Sequence, residues 1–471
     1  MFREATAKFT AAGIFSLSII TGMVPLLLSG QASAQPATGR NILFIAVDDM
    51  RNWVGYGGDY AGTVHTPNID ALAAQSTRFL NAYTAIPACT ASRTTVMTGL
   101  SPETHGIKGF SFGPTDPLYD ALFSNPAIQS IPELMSANGY YSAASGKVFH
   151  SPFPDKWDEQ GPLTDFVAVL EGYFPGPDGT NFNPTVLPAN EIHPDQVIAD
   201  WAGDFITDYT DSAPFFLAMD LYQPHVPWKI PQWAYDLYPI NDVVAHVPTP
   251  NDLSDVPAQG VLLANAPYIP TSNLSQYDAI IAAGKAQAYT QAYLAALSHT
   301  DAMIGEVLDA LAASAHANNT DVILWSDHGF HLGEKFHWKK MTLWDQSLRV
   351  PLLVKSPGNP NYPVGDNKRN VSTLDLAPTV ADLAGLATVP QFDGKPLYVD
   401  DGVNKVFAYW GKSRATMVGG FKVIDYDTTV PADIDDFSAY WTAFDKGEKN
   451  NIFLPLLIAI LKAQAQANNG N

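Results

Sequence analysis

Hydrophobic residues gather along this chain in short unbroken runs separated by long polar stretches. Asn41–Val47 (NILFIAV), Phe215–Leu221 (FFLAMDL), 321–325 (DVILW) and 350–355 (VPLLVK) are of strand length and largely apolar at successive positions. A half-buried strand would alternate, so unbroken runs predict strands covered on both faces, as in parallel sheets. Helical periodicity appears between them, over 279–315 and 374–386. Thr66-Pro67-Asn68 predicts a helix with a capping threonine and a proline in its first turn, running to about residue 79. Strands alternating with helices predict an α/β domain with a mainly parallel central sheet flanked by helices.

From Asn404 the texture changes to short strand-like pieces, VFAYW, ATMVGG and FKVIDYD, followed by an apolar stretch at 452–461. This predicts a small C-terminal antiparallel-sheet subdomain over 401–471, closed by a docked helix. Segments 110–130, 151–190 and 227–275 are rich in Pro, Gly and aromatics, have little periodicity, and predict loops that frame a cleft.

At the N-terminus Arg3 and Lys8 precede an apolar stretch at 14–28 and the triplet Ala32-Ser33-Ala34. That order predicts a signal peptide over 1–34, with the main domain over 35–400 and an exported, periplasmic or secreted product without stable membrane insertion. The 471 residues carry a net charge of −21, which repels nucleic acid and requires a local basic pocket before any anion can bind. A single cysteine, Cys89, excludes an intramolecular disulfide and is an unusual feature of an exported chain.

That cysteine opens Cys89-Thr90-Ala91-Ser92-Arg93, ahead of a helix-compatible stretch ending at Gly99. Free N–H groups at a helix start, with Arg93 one turn on, make a place to hold an anion. Asp48 and Asp49 follow the first apolar run, and Asp327 and His328 follow the run at 321–325. Ligands gather at the C-terminal ends of parallel strands, and adjacent carboxylates repel unless a cation joins them, so these four predict one metal. Lys147 and His150 in GKVFH, His225 in QPHVPW and Lys340 in HWKKMTLW would supply the positive pocket.

The ordered series DDMRNWVGYGG, HTPNIDALAAQSTRFLNAYTAIPACTASRTTVMTGLSPETHGI, SGKVFH, YQPHVPW, SDHGFHLGEKFHWKKMTLWDQSLRVPLLV and TLDLAPTVADLAG, spanning about 41–390, resembles the type I sulfatases of the alkaline phosphatase superfamily. It is most similar to their iduronate-2-sulfatase-like branch. The resemblance implies that Cys89 is converted to formylglycine, by a formylglycine-generating enzyme, and attacks sulfur as a hydrated aldehyde. Arg93 then steadies residue 89, and Asp48, Asp49, Asp327, His328 and residue 89 itself bind Ca²⁺. Lys147, His225 and Lys340 hold the sulfate. Among the proton carriers, His225, with Lys340 in competition, serves the leaving alcohol, and His150 is the base that frees sulfate.

Two positions depart from the family pattern. Ala91 stands where proline is commoner, and His328 replaces the commoner asparagine, so Mn²⁺ or Zn²⁺ compete with Ca²⁺ for a site containing imidazole. His331, His337, Trp338 and Trp344 are expected to support the cleft rather than react. The expected substrate is a sulfated small molecule or oligosaccharide. A phosphonate or phosphate monoester hydrolase is the first alternative, and a sulfated-ligand binding protein the second if Cys89 remains a thiol.

Overall fold

The computed structural model describes residues 39–452 apart from 110–116, 152, 164–181, 183, 266–274, 388, 428–436, 443–444 and 446. The expected signal peptide and the body of the expected C-terminal helix lie outside the described residues. Among those described, no helix is long and apolar enough to cross a membrane.

An eight-stranded sheet runs in the order Gly365–Ser372, Thr77–Tyr83, Leu352–Lys355, Thr320–Ser326, Asn41–Val47, Phe215–Leu221, Tyr141–Gly146, Glu159–Gln160. Asn41–Val47 pairs in parallel with both Phe215–Leu221 and Thr320–Ser326, and only Leu352–Lys355 runs against its neighbours. Two-sided burial explains the unbroken apolar run of the central strand. Leu43, Ile45 and Val47 pack against the helices Pro67–Ala73, Pro194–Asp208 and Ala286–Ala313, while Ile42, Phe44 and Ala46 face Cys89–Thr98, Ile131–Ala137 and Leu376–Leu383. Each such large side chain contributes about 1.5–3 kcal/mol of transfer free energy.

The α/β architecture with a small antiparallel sheet stands as expected, with local corrections. The helix at Pro67 stops at Ala73, and Thr77–Tyr83 is a strand, because it pairs with Leu352–Lys355 on one side and Gly365–Ser372 on the other. Thr66 does not cap that helix through its side chain. Its hydroxyl instead accepts the Gly55 N–H at 2.9 Å. The periodic segment at 279–315 is two helices, Gln276–Ala282 and Ala286–Ala313, parted around Gly284. The presumed loops contain short elements, among them the helices Pro117–Phe123 and Ala258–Ala264.

Four antiparallel strands, Lys405–Trp410, Ser413–Val418, Phe421–Asp425 and Phe437–Tyr440, form the C-terminal sheet. Its apolar face packs on Tyr83, Leu343, Trp344 and Leu348. Buried Lys422 locks it in place by pairing with Asp345 and with Glu448, the latter at 2.8 Å.

Candidate active site

Strand ends on the C-terminal side of the sheet bring the chemistry together. Asp48 and Asp49 follow the central strand, Asp327 and His328 follow Thr320–Ser326, and Lys147 follows Tyr141–Gly146. At the last of these turns Gly146 has φ +82, and a side chain there would strike the Asp220 carbonyl at 2.1 Å, so only glycine lets the chain turn toward Lys147. Asp49 also takes a positive φ of 63, held by its N–H donating to Asp327 Oδ1 at 3.1 Å.

Cys89 starts the helix Cys89–Thr98, as expected, and Gly99 ends it in the left-handed region. The Cys89 Sγ lies 2.8 Å from Lys340 Nζ, 3.3 Å from His328 Nε2 and 3.5 Å from Asp48 Oδ1. Burial, and then the charge of Asp48, push its thiol up.

Cations interleave with the carboxylates. Lys147 donates to Asp48 Oδ2 at 2.6 Å and Lys340 to Asp49 Oδ1 at 2.6 Å. Arg93 reaches Asp327 Oδ2 at 3.3 Å and Asp48 Oδ2 at 3.7 Å. Burial would raise Asp48, but Lys147, His225, Arg93 and Lys340 outweigh it and hold that carboxyl well below the usual range. Asp49, by contrast, is pushed up to about 6, and Asp327 well above the ordinary carboxylate value, in both cases chiefly by burial and then by neighbouring charges that include Asp48. Such crowding calls for more positive charge than the side chains supply.

His225 stands with Nε2 3.9 Å from Asp49 Oδ2, its Nδ1 held between the Tyr222 hydroxyl and the Val226 carbonyl. Cis peptide bonds before Pro224 and Pro227 flank it. Burial and then Lys340 hold its basicity down. His150 is lowered by burial and by Lys147 and Arg93, which places it in the field of the same cluster.

Nine of the ten expected site residues meet through these contacts, and the charges of Lys147 and Arg93 reach the tenth, His150. His331 instead bonds Thr342 Oγ1 at 2.8 Å, and His337 lies 2.8 Å from the Lys340 carbonyl, steadying the backbone of that lysine. Trp338 and Trp344 are buried in packing roles. A neighbouring cavity of about 260 Å³ is lined by Arg51, Trp53, His246, Asp252, Glu334 and Arg349 among others, so the segment at 227–275 does contribute to a concave surface.

Sequence reasoning missed Asp220. It is fully buried in the strand Phe215–Leu221 and pairs with Arg93 Nη1 at 3.0 Å. Burial raises its carboxyl to about 7 despite that guanidinium. A charged residue inside FFLAMDL was the available signal, since an acid buried in a strand needs a partner.

The family model described as Sulfatase matches residues 40–386. A sulfatase of Formosa agariphila is 33 % identical over 456 residues, covering 91 % of this chain and 87 % of the relative. The chain belongs to the sulfatase family. As a member, this sulfatase is a sulfuric ester hydrolase, of the kind that generally uses a metal and a modified cysteine. It is also 28 % identical to iduronate 2-sulfatase of Mus musculus, over 80 % of this chain and 74 % of that one. Two solved structures share its fold. One, in complex with its substrate D-glucosamine-2-N,6-O-disulfate, has a TM-score of 0.67 at 19 % identity and covers 92 % of this chain and 99 % of that one. The other, a phosphonate monoester hydrolase of Agrobacterium radiobacter, has a TM-score of 0.69 at 19 % identity and covers 91 % and 96 %.

Proposed function

We propose that this sulfatase releases inorganic sulfate from a sulfated carbohydrate, with residue 89 acting after oxidation to formylglycine. The observation that carries this reading is the enclosure of Cys89 Sγ by Lys340, His328 and Asp48, all within 3.5 Å. A buried thiol with raised pKa is a poor thiolate nucleophile, which favours a position that reacts in another chemical form. The activity named for the iduronate 2-sulfatase relative supports a sugar sulfate as substrate. The leader-like segment at 1–34 supports export to the periplasm or beyond, and the oxidation of residue 89 calls for a formylglycine-generating enzyme.

The donor set fits a divalent cation. Asp49 Oδ2 and Asp327 Oδ2 are buried without hydrogen-bond partners, and Asp48, Cys89, Asp327 and His328 offer ligand atoms within 4.8 Å of one another. Asp49 falls in an overlapping set with Asp48, Cys89 and His225. Asp48, Asp49, Asp327, His328 and the modified residue 89 would hold the ion, taken as Ca²⁺, with Mn²⁺ and Zn²⁺ as competitors because of the imidazole. When bound, it supplies positive charge against the sulfuryl oxygens, and formylglycine supplies a hydrated aldehyde with one hydroxyl to attack sulfur and another to expel sulfate.

The chain's own residues do the rest. Arg93, anchored by Asp220, fixes the surroundings of residue 89, and Lys147, Lys340 and His225 hold the non-bridging oxygens. With Nδ1 engaged by Tyr222 and Val226 and Nε2 3.9 Å from Asp49 Oδ2, His225 is assigned to protonate the leaving alcohol through Nε2. Burial first and the charge of Lys340 second hold this ring's basicity down, and a bound sulfate opposes the second. Lys340 is the competing donor. His150 takes the proton whose removal frees sulfate from residue 89.

The test is sulfate release from an aryl sulfate and a panel of defined sulfated oligosaccharides, run beside an aryl phosphate and an aryl phosphonate. Preferential turnover of the sulfates supports the proposal. Preference for the phosphorus esters would replace it with the phosphonate hydrolase reading, for which the shared fold is the only support.

A further inference from the structure

A second cluster of metal-ligating side chains lies outside the centre built on Cys89. His193 stands at the N-cap of the helix Pro194–Asp208, Asp195 lies in its first turn, and His299 projects from the long helix Ala286–Ala313. One ligand atom from each lies within 4.8 Å of the other two. The two imidazole rings face one another with centroids 4.3 Å apart. His193, Asp195 and His299 are only 5 %, 0 % and 2 % exposed.

Hydrogen bonding accounts for His193 and Asp195 but not for His299. His299 Nδ1 is buried without a hydrogen-bond partner, which leaves a polar nitrogen desolvated with nothing in return. His193 Nδ1 directs its lone pair at the Asp195 N–H, 3.0 Å away, and lies 3.9 Å from Asp195 Oδ2. Asp195 accepts the N–H groups of Tyr222 at 2.8 Å and Gln223 at 2.9 Å, one on each oxygen, and each oxygen retains a second lone pair. Burial lowers His193 to about 4 and His299 to about 3, so both rings are neutral donors at ordinary pH.

We propose that His193, Asp195 and His299 form a second metal site, which takes one divalent cation of the zinc type. Two imidazoles and one carboxylate suit a borderline cation far better than calcium, which favours oxygen cages of higher coordination. Ligation through His193 Nδ1 releases the buried Asp195 N–H, and the ion's bonds to the three side chains must outweigh that loss. Trp233, 46 % exposed and 6.2 Å from the His299 ring, marks the surface side from which the ion enters. The bound ion ties two helices together. Through Asp195 it also steadies the backbone of Tyr222 and Gln223, just ahead of His225.

The test compares zinc content in four proteins: wild type, His299→Ala, His193→Asn and Asp327→Asn. Each is stripped with a chelator, re-equilibrated with zinc chloride, desalted and measured by plasma mass spectrometry, with thermal melting recorded with and without zinc. His193→Asn keeps a capping oxygen at the helix start, so it provides a folded variant should His299→Ala fail. Wild type and Asp327→Asn should each hold one zinc that both histidine variants lack, and zinc should raise the Tm of the first pair through this site. Equal zinc content in wild type and a folded histidine variant overturns the proposal, as does wild type that retains no zinc.

Discussion

Arg93 and Asp220 form a fully buried ion pair, Nη1 to Oδ1 at 3.0 Å, one helical turn beyond Cys89. The same guanidinium reaches Asp48 and Asp327, so its orientation is shared between the sheet interior and the carboxylates of the active centre. Asp220→Asn should lower kcat by about 10–100-fold, as loss of a supporting partner does around a metal site. Breaking the pair should also cost about 3–5 kcal/mol of stability, less whatever the amide recovers by hydrogen bonding to Arg93. Steady-state kinetics and denaturant unfolding check both. Wild-type kcat in a folded variant would show that Arg93 is positioned by the helix alone.

Asp195 holds the segment that carries His225 by accepting the N–H groups of Tyr222 and Gln223. Asp195→Ala strands both donors, at about 1–3 kcal/mol each. In zinc-free buffer kcat should fall about 10-fold with a smaller change in KM, because misplacement by an ångström affects proton delivery more than binding. A rise in KM alone would instead assign this segment to substrate recognition.

His105 gives a pH dependence with a definite sign. Burial lowers it to about 4 from 6.5, while it accepts the Ile107 N–H at 3.1 Å and pairs with Thr95 Oγ1 at 2.9 Å. Between those pH values the unfolded chain binds a proton that the folded protein refuses. Stability from this residue is therefore complete above 6.5 and is lost as pH falls through 4, by about 3 kcal/mol in all. His105→Gln should flatten the melting profile over that interval relative to wild type. Parallel profiles would show that other groups set the acid limit.

Removal of divalent ions should leave Asp48, Asp49 and Asp327 with only lysine and arginine to oppose them. Aryl sulfate hydrolysis should then fall by at least ~10²-fold and return on adding Ca²⁺. Recovery with Mn²⁺ or Zn²⁺ but not Ca²⁺ would give the His328 imidazole the deciding role in ion choice. An undiminished rate after exhaustive chelation would remove the metal from the mechanism.

The sequence showed the parts of the sheet where burial is two-sided, because Asn41–Val47 and Phe215–Leu221 have no polar face to confuse the pattern. The strand Tyr141–Gly146 (YSAASG) was hidden by its small residues, and Gly365–Ser372 (GDNKRNVS) by the polarity of a sheet edge. The start of Thr77–Tyr83 was absorbed into the preceding helix, drawn to about residue 79, because TRF satisfies helical spacing as well as strand alternation, and pairing with Leu352–Lys355 and Gly365–Ser372 decides between them. The site residues were legible because each sits at a strand or helix end within a distinctive motif. Asp220 and Asp195 were not, since their roles come from partners 127 and 27 residues away in sequence, Arg93 and Tyr222.

The central claim is the chemical identity of residue 89 in active protein. Mass spectrometry of the Cys89 peptide, on protein purified from a host with the maturation enzyme and assayed for sulfate release in the same sample, tests it most directly. Specific activity should rise in proportion to the fraction of residue 89 found as aldehyde, and Cys89→Ala should be folded and inactive. Full activity in a sample whose residue 89 is entirely thiol would contradict the account.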